Sequence, residues 1–256
     1  MSSSHTSRGP GGGLLCELHA HSRWSDGELE LHDIVDLYGR AGFDVLCITD
    51  HVLRDGGVVS AEAFPAYRFA IAEQALRAWE RYRMVVIPGL ELTWDDPDDC
   101  RAAHAVVIGT DRFVGLEDGL DAALEIARDR GAAIIAGHPH GIGGDAMPGR
   151  TTRRWWLDGG LRSLAHRFEL INRTQVFEWV ASAGVSAVAS GDFHRPAHLN
   201  TWKTVLPAEL DAAAVVEYLR SRAPAMIGPA AGLSAMRLLP GDADPGEPLA
   251  PFAEAR

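Results

Sequence analysis

The chain has 256 residues, 46% of them hydrophobic and 23% charged, which is typical of a soluble globular protein with one or two domains. Its formal net charge of -11 argues against nucleic acid or an anionic membrane as the main partner, although bound divalent cations would reverse the field locally. The three cysteines form no CxxC pair, and neither a signal-peptide pattern nor a membrane-length apolar run is present, so we predict a cytoplasmic location.

Short apolar runs alternate with amphipathic stretches along most of the chain. In the first amphipathic stretch, Leu31, Ile34, Val35 and Tyr38 recur at helical spacing and share one face. Helices are predicted over residues 30–41, 65–82, 116–130, 153–165, 174–183 and 207–222. Strands are predicted over residues 14–18, 44–48, 84–90, 102–108, 132–137, 168–172, 185–190 and 204–206.

The apolar runs are continuous rather than alternating, which suits strands that are covered on both faces. Their alternation with helices predicts an α/β protein with a parallel sheet, open or closed into a barrel. The Gly/Ser-rich head (1–13) is predicted to be disordered, and the Pro/Gly-rich acidic tail (240–256) to be mobile. Between the head and the tail we predict a single domain over residues 14–239.

The predicted strands end in, or carry, residues of the types that bind metals. His19 and His21 leave the first strand with one residue between them, so an extended chain directs both imidazoles to the same side. The later strands contribute Asp50, His51, Glu91, His104, His138, His140, Asp192 and His194. Each alone has an ordinary explanation, such as packing or a capped turn. Together they predict a metal site, because the ends of parallel strands converge.

The succession HAHSRWSDG, TDH, GLELT, HAVVIG, GHPH and GDFH resembles the PHP (polymerase and histidinol phosphatase) family of metal-dependent phosphoesterases, over about residues 14–206. The resemblance implies a distorted (β/α)7 barrel with two or three divalent metal ions at the C-terminal face of its strands. It also implies three ligand sets: His19, His21, Glu91 and Asp192; Glu91, His104 and His138; and Asp26, His51 and His194. In these sets Glu91 bridges two metals.

The ligand chemistry and the loop arginines extend this hypothesis. Mixed imidazole and carboxylate ligands suit Mn²⁺, Fe²⁺ or Zn²⁺ better than Mg²⁺ or Ca²⁺. Metal-activated hydroxide would attack phosphorus, with catalytic roles for Glu91, Asp192 and His194. Arg173 and Arg195 follow strands and are the preferred phosphate-binding residues, with a solvated surface arginine as the alternative for each.

Two neighbouring residues are expected to lie outside the ligand sets. Asp50 precedes His51 directly and is predicted either to orient its imidazole or to cap the loop, with a supporting role behind the ligands favoured. His140 follows His138 at strand spacing, but the family has no matching position, so a supporting or loop role is favoured.

We therefore predict hydrolysis of a small phosphorylated metabolite, with a monoester favoured. A phosphodiester, a cyclic phosphate or a nucleotide is the first alternative, although the short connection from His104 to His138 lacks the inserted subdomain of some nucleotide-specific relatives. The second is C–N or C–O bond hydrolysis, because amidohydrolase barrels have a similar metal arrangement. The third is an inactive metal-binding scaffold, disfavoured because every ligand position is filled.

Overall fold

The structure is a computed structural model that describes residues 12–54, 58–141 and 152–231. The predicted tail and the predicted head as far as residue 11 lie outside these ranges. The helices are α1 Leu31–Arg40, α2 Phe64–Tyr82, α3 Leu120–Asp129, α4 Arg154–Leu157, α5 Gly159–Leu164, α6 Glu178–Ser182 and α7 Ala212–Ser221. None of these described helices combines the length and the hydropathy needed to cross a bilayer.

The described strands form one sheet of 11 strands. They are β1 Leu14–Glu17, β2 Val45–Ile48, β3 His51–Leu53, β4 Val85–Trp94, β5 Ala103–Ile108, β6 Ala133–Gly137, β7 Arg167–Asn172, β8 Gln175–Val176, β9 Ala187–Ser190, β10 Trp202–Leu206 and β11 Met226–Pro229. The strand order is β11-β10-β1-β2-β4-β5-β6-β7-β8, with β3 paired to β4 and β9 paired to β7.

The sheet curls until β9 lies beside β10 and the end of β1. The Thr204 hydroxyl on β10 accepts a hydrogen bond from Ala189 N at 2.8 Å and donates one to Ala189 O at 2.7 Å. Beyond the end of β1, Ala20 forms a parallel bridge with Phe193. The predicted α/β class and the barrel-like curl are thereby confirmed.

The prediction of a parallel sheet is wrong at β10, which pairs antiparallel with β1 and β11, and at β5. This strand pairs antiparallel with both β4 and β6. The connection from β4 to β5 is a short loop over residues 95–102, and such a loop can join only antiparallel neighbours. As a result His104, near the start of β5, lies at the same end of the sheet as the C-terminal ends of its parallel strands.

Two of the predicted helices are also different in the structure. The segment predicted as one helix over 153–165 contains α4 and α5, which are separated by Asp158; its Oδ1 accepts from Leu161 N at 3.0 Å and caps α5. The segment predicted as a helix over 174–183 begins instead with β8. Arg173, with a φ of 54°, turns the chain so that β8 pairs antiparallel with β7.

Side chains on the central strands alternate between two apolar clusters. Leu15 and Leu46 face a cluster that includes Tyr38 of α1 and further side chains of α2 and α3. Cys16 and Cys47 face a second cluster that includes Val215 and Leu219 of α7. Both faces of these strands are therefore buried, as their continuous apolar sequence predicts.

Candidate metal centre

The two histidines after β1 are held by the neighbouring chain end after β9. Phe193 N donates to His19 O at 3.0 Å, and His21 N donates to Phe193 O at 2.8 Å. These bonds keep the chain extended, so His19 and His21 project to the same side with their ring centroids 4.9 Å apart. Both side chains are buried.

Glu91 lies at the centre of the cluster, in the middle of β4 rather than at the predicted strand end. Its carboxylate contacts the imidazoles of His19, His21, His51, His104 and His138. Oε2 lies 3.5 Å from Nε2 of both His19 and His21, whereas Oε1 lies 3.1 Å from Nδ1 of His104. Strand β4 extends beyond Glu91 because β3 and β5 flank that part of it.

The structure brings all nine predicted metal-binding residues to this end of the sheet. Within these nine residues, three groups have ligand atoms within 4.8 Å of one another: His19, His21 and Glu91; Glu91, His104 and His138; and His21, Asp26, His51 and His194. Compared with the expected sets, the last group gains His21. Asp192 lies beside the first group, with Oδ1 3.5 Å from His21 Nε2 and 3.7 Å from His19 Nε2.

The buried atoms at the centre fit a cation. His19 Nε2 and His21 Nε2 are buried without a hydrogen-bond partner in the described part of the chain, and both face the buried Glu91 Oε2, which lies 2.7 Å from His51 Nδ1. Unpaired buried polar atoms are costly, so two such nitrogens that face one carboxylate need an explanation. Imidazole nitrogens together with a carboxylate oxygen form a donor set that suits a divalent transition metal.

The residues also shift one another's protonation. Burial lowers the pKa of His21 to about 3. Burial also disfavours a charge on His51, but Glu91 and Asp26 outweigh it and raise the pKa of His51 to about 10. Burial would raise the pKa of Glu91, but His51 and His19 hold it well below its ordinary value. Binding of a divalent cation must displace the proton from an imidazole such as that of His51, so metal affinity should decrease at lower pH.

Of the two roles predicted for Asp50, the described contacts show the loop-capping role and not the orientation of His51. Asp50 Oδ1 accepts from Ser22 N at 2.7 Å and from Ser25 Oγ at 2.6 Å, so it supports the turn after His21. His51 Nδ1 instead lies 2.7 Å from Thr93 Oγ1, two residues beyond Glu91 on β4.

His140 lies outside the three ligand groups, in agreement with its predicted position. Its Nδ1 accepts from Thr152 N at 3.4 Å and lies 3.4 Å from Thr152 Oγ1.

Sequence analysis missed two carboxylates that contact the candidate ligands from behind. Glu169 on β7 is buried and lies 2.9 Å from His19 Nδ1. Asp95 after β4 is exposed and lies 3.0 Å from His104 Nε2. The signal for Glu169 was an acidic residue within an otherwise apolar strand, since charged residues are rarely buried without partners.

The two predicted phosphate-binding arginines have different surroundings. Arg173 Nη2 lies 2.9 Å from Asp192 Oδ2 and 3.2 Å from His194 Nδ1, so its guanidinium borders the cluster. Arg195 is exposed, and its Nε donates to His198 Nε2 at 3.2 Å. In the contacts of the described residues, Arg195 touches none of the candidate metal ligands.

Comparison with known families and structures gives matches in family and in fold. Residues 17–135 match the PHP domain family. A two-domain protein of Bacteroides vulgatus that contains a predicted PHP-like metal-dependent phosphoesterase is similar, with a TM-score of 0.63 at 22% identity. That match covers 84% of this chain, which spans 64% of the other protein's length. At 22% identity this similarity shows a shared fold and nothing about a shared activity.

An amidohydrolase from Chromobacterium violaceum, with bound sulfate and no metal, is similar with a TM-score of 0.51 at 15% identity. The match covers 84% of this chain and 98% of the amidohydrolase. No curated protein sequence matches the chain.

Proposed function

We propose that this chain, of which residues 17–135 match the PHP domain family, is a metal-dependent phosphoesterase acting on a small phosphorylated metabolite, a monoester in preference to a diester. The observation that carries the proposal is the pair of buried imidazoles that faces Glu91. Their Nε2 atoms lack hydrogen-bond partners in the described ranges, and Arg173 lies at the edge of the same cluster.

Two or three divalent cations, Mn²⁺, Fe²⁺ or Zn²⁺, would be held by the three ligand groups together with Asp192. Clustered divalent cations supply hydroxide near neutral pH and offset the charge on phosphoryl oxygens. Glu91 is shared by two of the groups, so its carboxylate would lower the repulsion between neighbouring cations.

Asp192 and His194 are the proposed catalytic residues beside Glu91. Burial would raise the pKa of Asp192, but His19 and His21 hold it well below its ordinary value, so the group is a carboxylate at neutral pH. His194 lies between two carboxylates, with Nδ1 3.3 Å from Asp192 Oδ1 and Nε2 3.2 Å from Asp26 Oδ1. Asp192 and His194 can therefore hold a proton between them and transfer it at the edge of the cluster.

Arg173 is the proposed phosphate-binding residue. Its Nε and Nη2 donate to Asp192 O at 3.2 and 3.1 Å, which fixes the plane of the guanidinium. Nη1 has no hydrogen bond among the described residues, and the side chain is 38% exposed. A substrate oxygen can therefore reach the remaining N–H groups, and a planar guanidinium suits phosphate.

We also propose that the protein acts in the cytoplasm on a small molecule rather than on nucleic acid. The formal net charge of -11 would repel a polyanion. Cys16, Cys47 and Cys100 are free, as a reducing compartment would maintain them.

The first test is phosphate release by protein loaded with Mn²⁺, Fe²⁺ or Zn²⁺. The substrates are sugar phosphates, nucleotides, histidinol phosphate and a simple diester. We expect release from one class of monoester, loss of activity after chelation, and recovery when the metal is restored. Release of ammonia or of a carboxylate, without phosphate, would instead support the alternative of C–N bond hydrolysis. The observation behind this alternative is the fold that the chain shares with the amidohydrolase.

Replacement of Arg173 with lysine should decrease kcat/KM about 10- to 100-fold, since a hydrogen bond to a charged group contributes about 1.5–3 kcal/mol. Steady-state kinetics with the monoester that is hydrolysed fastest would measure this decrease in kcat/KM. The matched control is Arg195→Lys, which removes a guanidinium from an exposed site near the same chain segment and should change kcat/KM less than about threefold. Equal losses in both variants would contradict the assignment of Arg173.

A further inference from the structure

Glu169 lies on β7, just before a β-bulge, and its carboxylate is fully buried. Four groups surround its two oxygens. Oε1 lies 2.9 Å from His19 Nδ1 and accepts from Ser190 Oγ, and Oε2 accepts from His138 N at 2.6 Å and Asn172 Nδ2 at 2.8 Å. Such a set of donors suits an ionised carboxylate. Glu169 therefore joins the ends of β1, β6 and β9 behind the metal centre.

The first consequence concerns the tautomer of His19. A carboxylate can only accept, so His19 Nδ1 carries the proton that it shares with Glu169. The lone pair is then on Nε2, which is buried without a partner in the described residues and lies 3.5 Å from Glu91 Oε2. This is the tautomer in which His19 can bind a cation at the centre of the cluster.

The second consequence concerns the backbone of His138. This residue has a φ of 25°, a conformation that non-glycine residues rarely adopt and that needs support from its surroundings. Glu169 Oε2 holds its N–H, and Thr152 Oγ1 donates to its carbonyl at 2.5 Å. The support directs the His138 ring towards Glu91, with Nε2 3.2 Å from Oε1.

We infer that Glu169 is a positioning residue that fixes His19 and His138 together and so prepares both ligand groups that share Glu91. The inference rests on the metal centre of the proposed function. One buried carboxylate thus couples two candidate sites from behind. Asp95 differs, because it is 60% exposed and contacts only the His104 ring among the described residues. Solvent can substitute for Asp95, whereas in the described ranges only Glu169 reaches the buried Nδ1 of His19.

The decisive variant is Glu169→Gln. The amide oxygen can still accept from His138 N and Asn172, but the amide nitrogen then faces His19 Nδ1 and must donate to it. The His19 proton should move to Nε2, which blocks the metal-binding nitrogen. We expect nitrogen NMR of the chelator-treated full chain, recorded at a pH at which the His19 ring is neutral, to show this reversal, and metal affinity to fall about 10- to 100-fold. We also expect kcat to fall more than KM changes.

The matched control is Glu178→Gln, an identical charge change at an exposed position on α6, for which we expect the wild-type tautomer and metal content. His19→Gln assigns the His19 signals. A neutral wild-type His19 whose single proton is on Nε2, or a Glu169→Gln protein with wild-type tautomer and metal affinity, would overturn the inference. If Glu169→Gln fails to fold, the wild-type tautomer still decides. Wild-type protein with the expected tautomer and bound metal, but no phosphate release, would refute the proposed function and support the positioning role.

Discussion

Replacement of Glu91 with alanine should abolish metal binding and hydrolysis together. Its carboxylate contacts five imidazoles and belongs to two of the three ligand groups. Its removal leaves His19 and His21 without their shared carboxylate and leaves neighbouring cations without a common anion. We expect kcat/KM to fall by a factor on the order of 10³ or more, because metal-based charge stabilisation contributes several kcal/mol.

The measurement is elemental analysis of metal per chain, alongside phosphate release. Glu91→Gln separates charge from shape: it keeps the volume of the side chain and should still lose metal. Glu80→Ala on α2 is an exposed control and should retain both metal and activity. Full metal occupancy with unchanged phosphate release in the Glu91→Ala protein would contradict the assignment of this carboxylate as the central ligand.

Replacement of Lys203 with methionine should strongly destabilise the fold. Lys203 is fully buried, and its Nζ lies 3.1 Å from Glu17 Oε2. It also donates to His198 O at 3.1 Å and Thr201 Oγ1 at 2.8 Å. Without it, Glu17 is a buried carboxylate with no opposing charge in contact among the described residues. We expect the free energy of unfolding to decrease by about 3–5 kcal/mol.

The damage should extend to the metal centre, because Glu17 also holds the loop that carries Asp192. Glu17 Oε1 accepts from Gly191 N at 2.8 Å, and a Cβ at position 191 would lie only 2.6 Å from Lys203 Nζ. Denaturant titration measures the loss. The double variant Glu17→Gln/Lys203→Met removes both charges and should recover most of the stability. A single-variant loss below about 1 kcal/mol would show that the pair adds little.

The sequence was informative where a property depends on near neighbours in the chain. Helical spacing identified α1, and its residues Leu31, Ile34, Val35 and Tyr38 are buried. Continuous apolar runs identified strands that are buried on both faces. The same local reasoning gathered the candidate metal-binding residues, because strand ends at one edge of a sheet must converge.

Other features depend on how distant segments meet. The direction of β5, the position of Glu91 within β4, and the use of Asp50 at the turn after His21 follow from strand pairing and loop packing. Local patterning does not encode these, since an apolar run is compatible with either strand direction.

The contact between His19 and Glu169 shows most clearly which features the local sequence predicts and which depend on the tertiary structure. A short, mostly apolar run identified β7 as a strand, and the position of His19 after β1 identified it as a candidate ligand. The 150 positions that separate the two residues along the chain leave no local signal for their contact. Only the curl of the sheet, which brings β9 and β7 beside the end of β1, determines which nitrogen of His19 faces the metal centre.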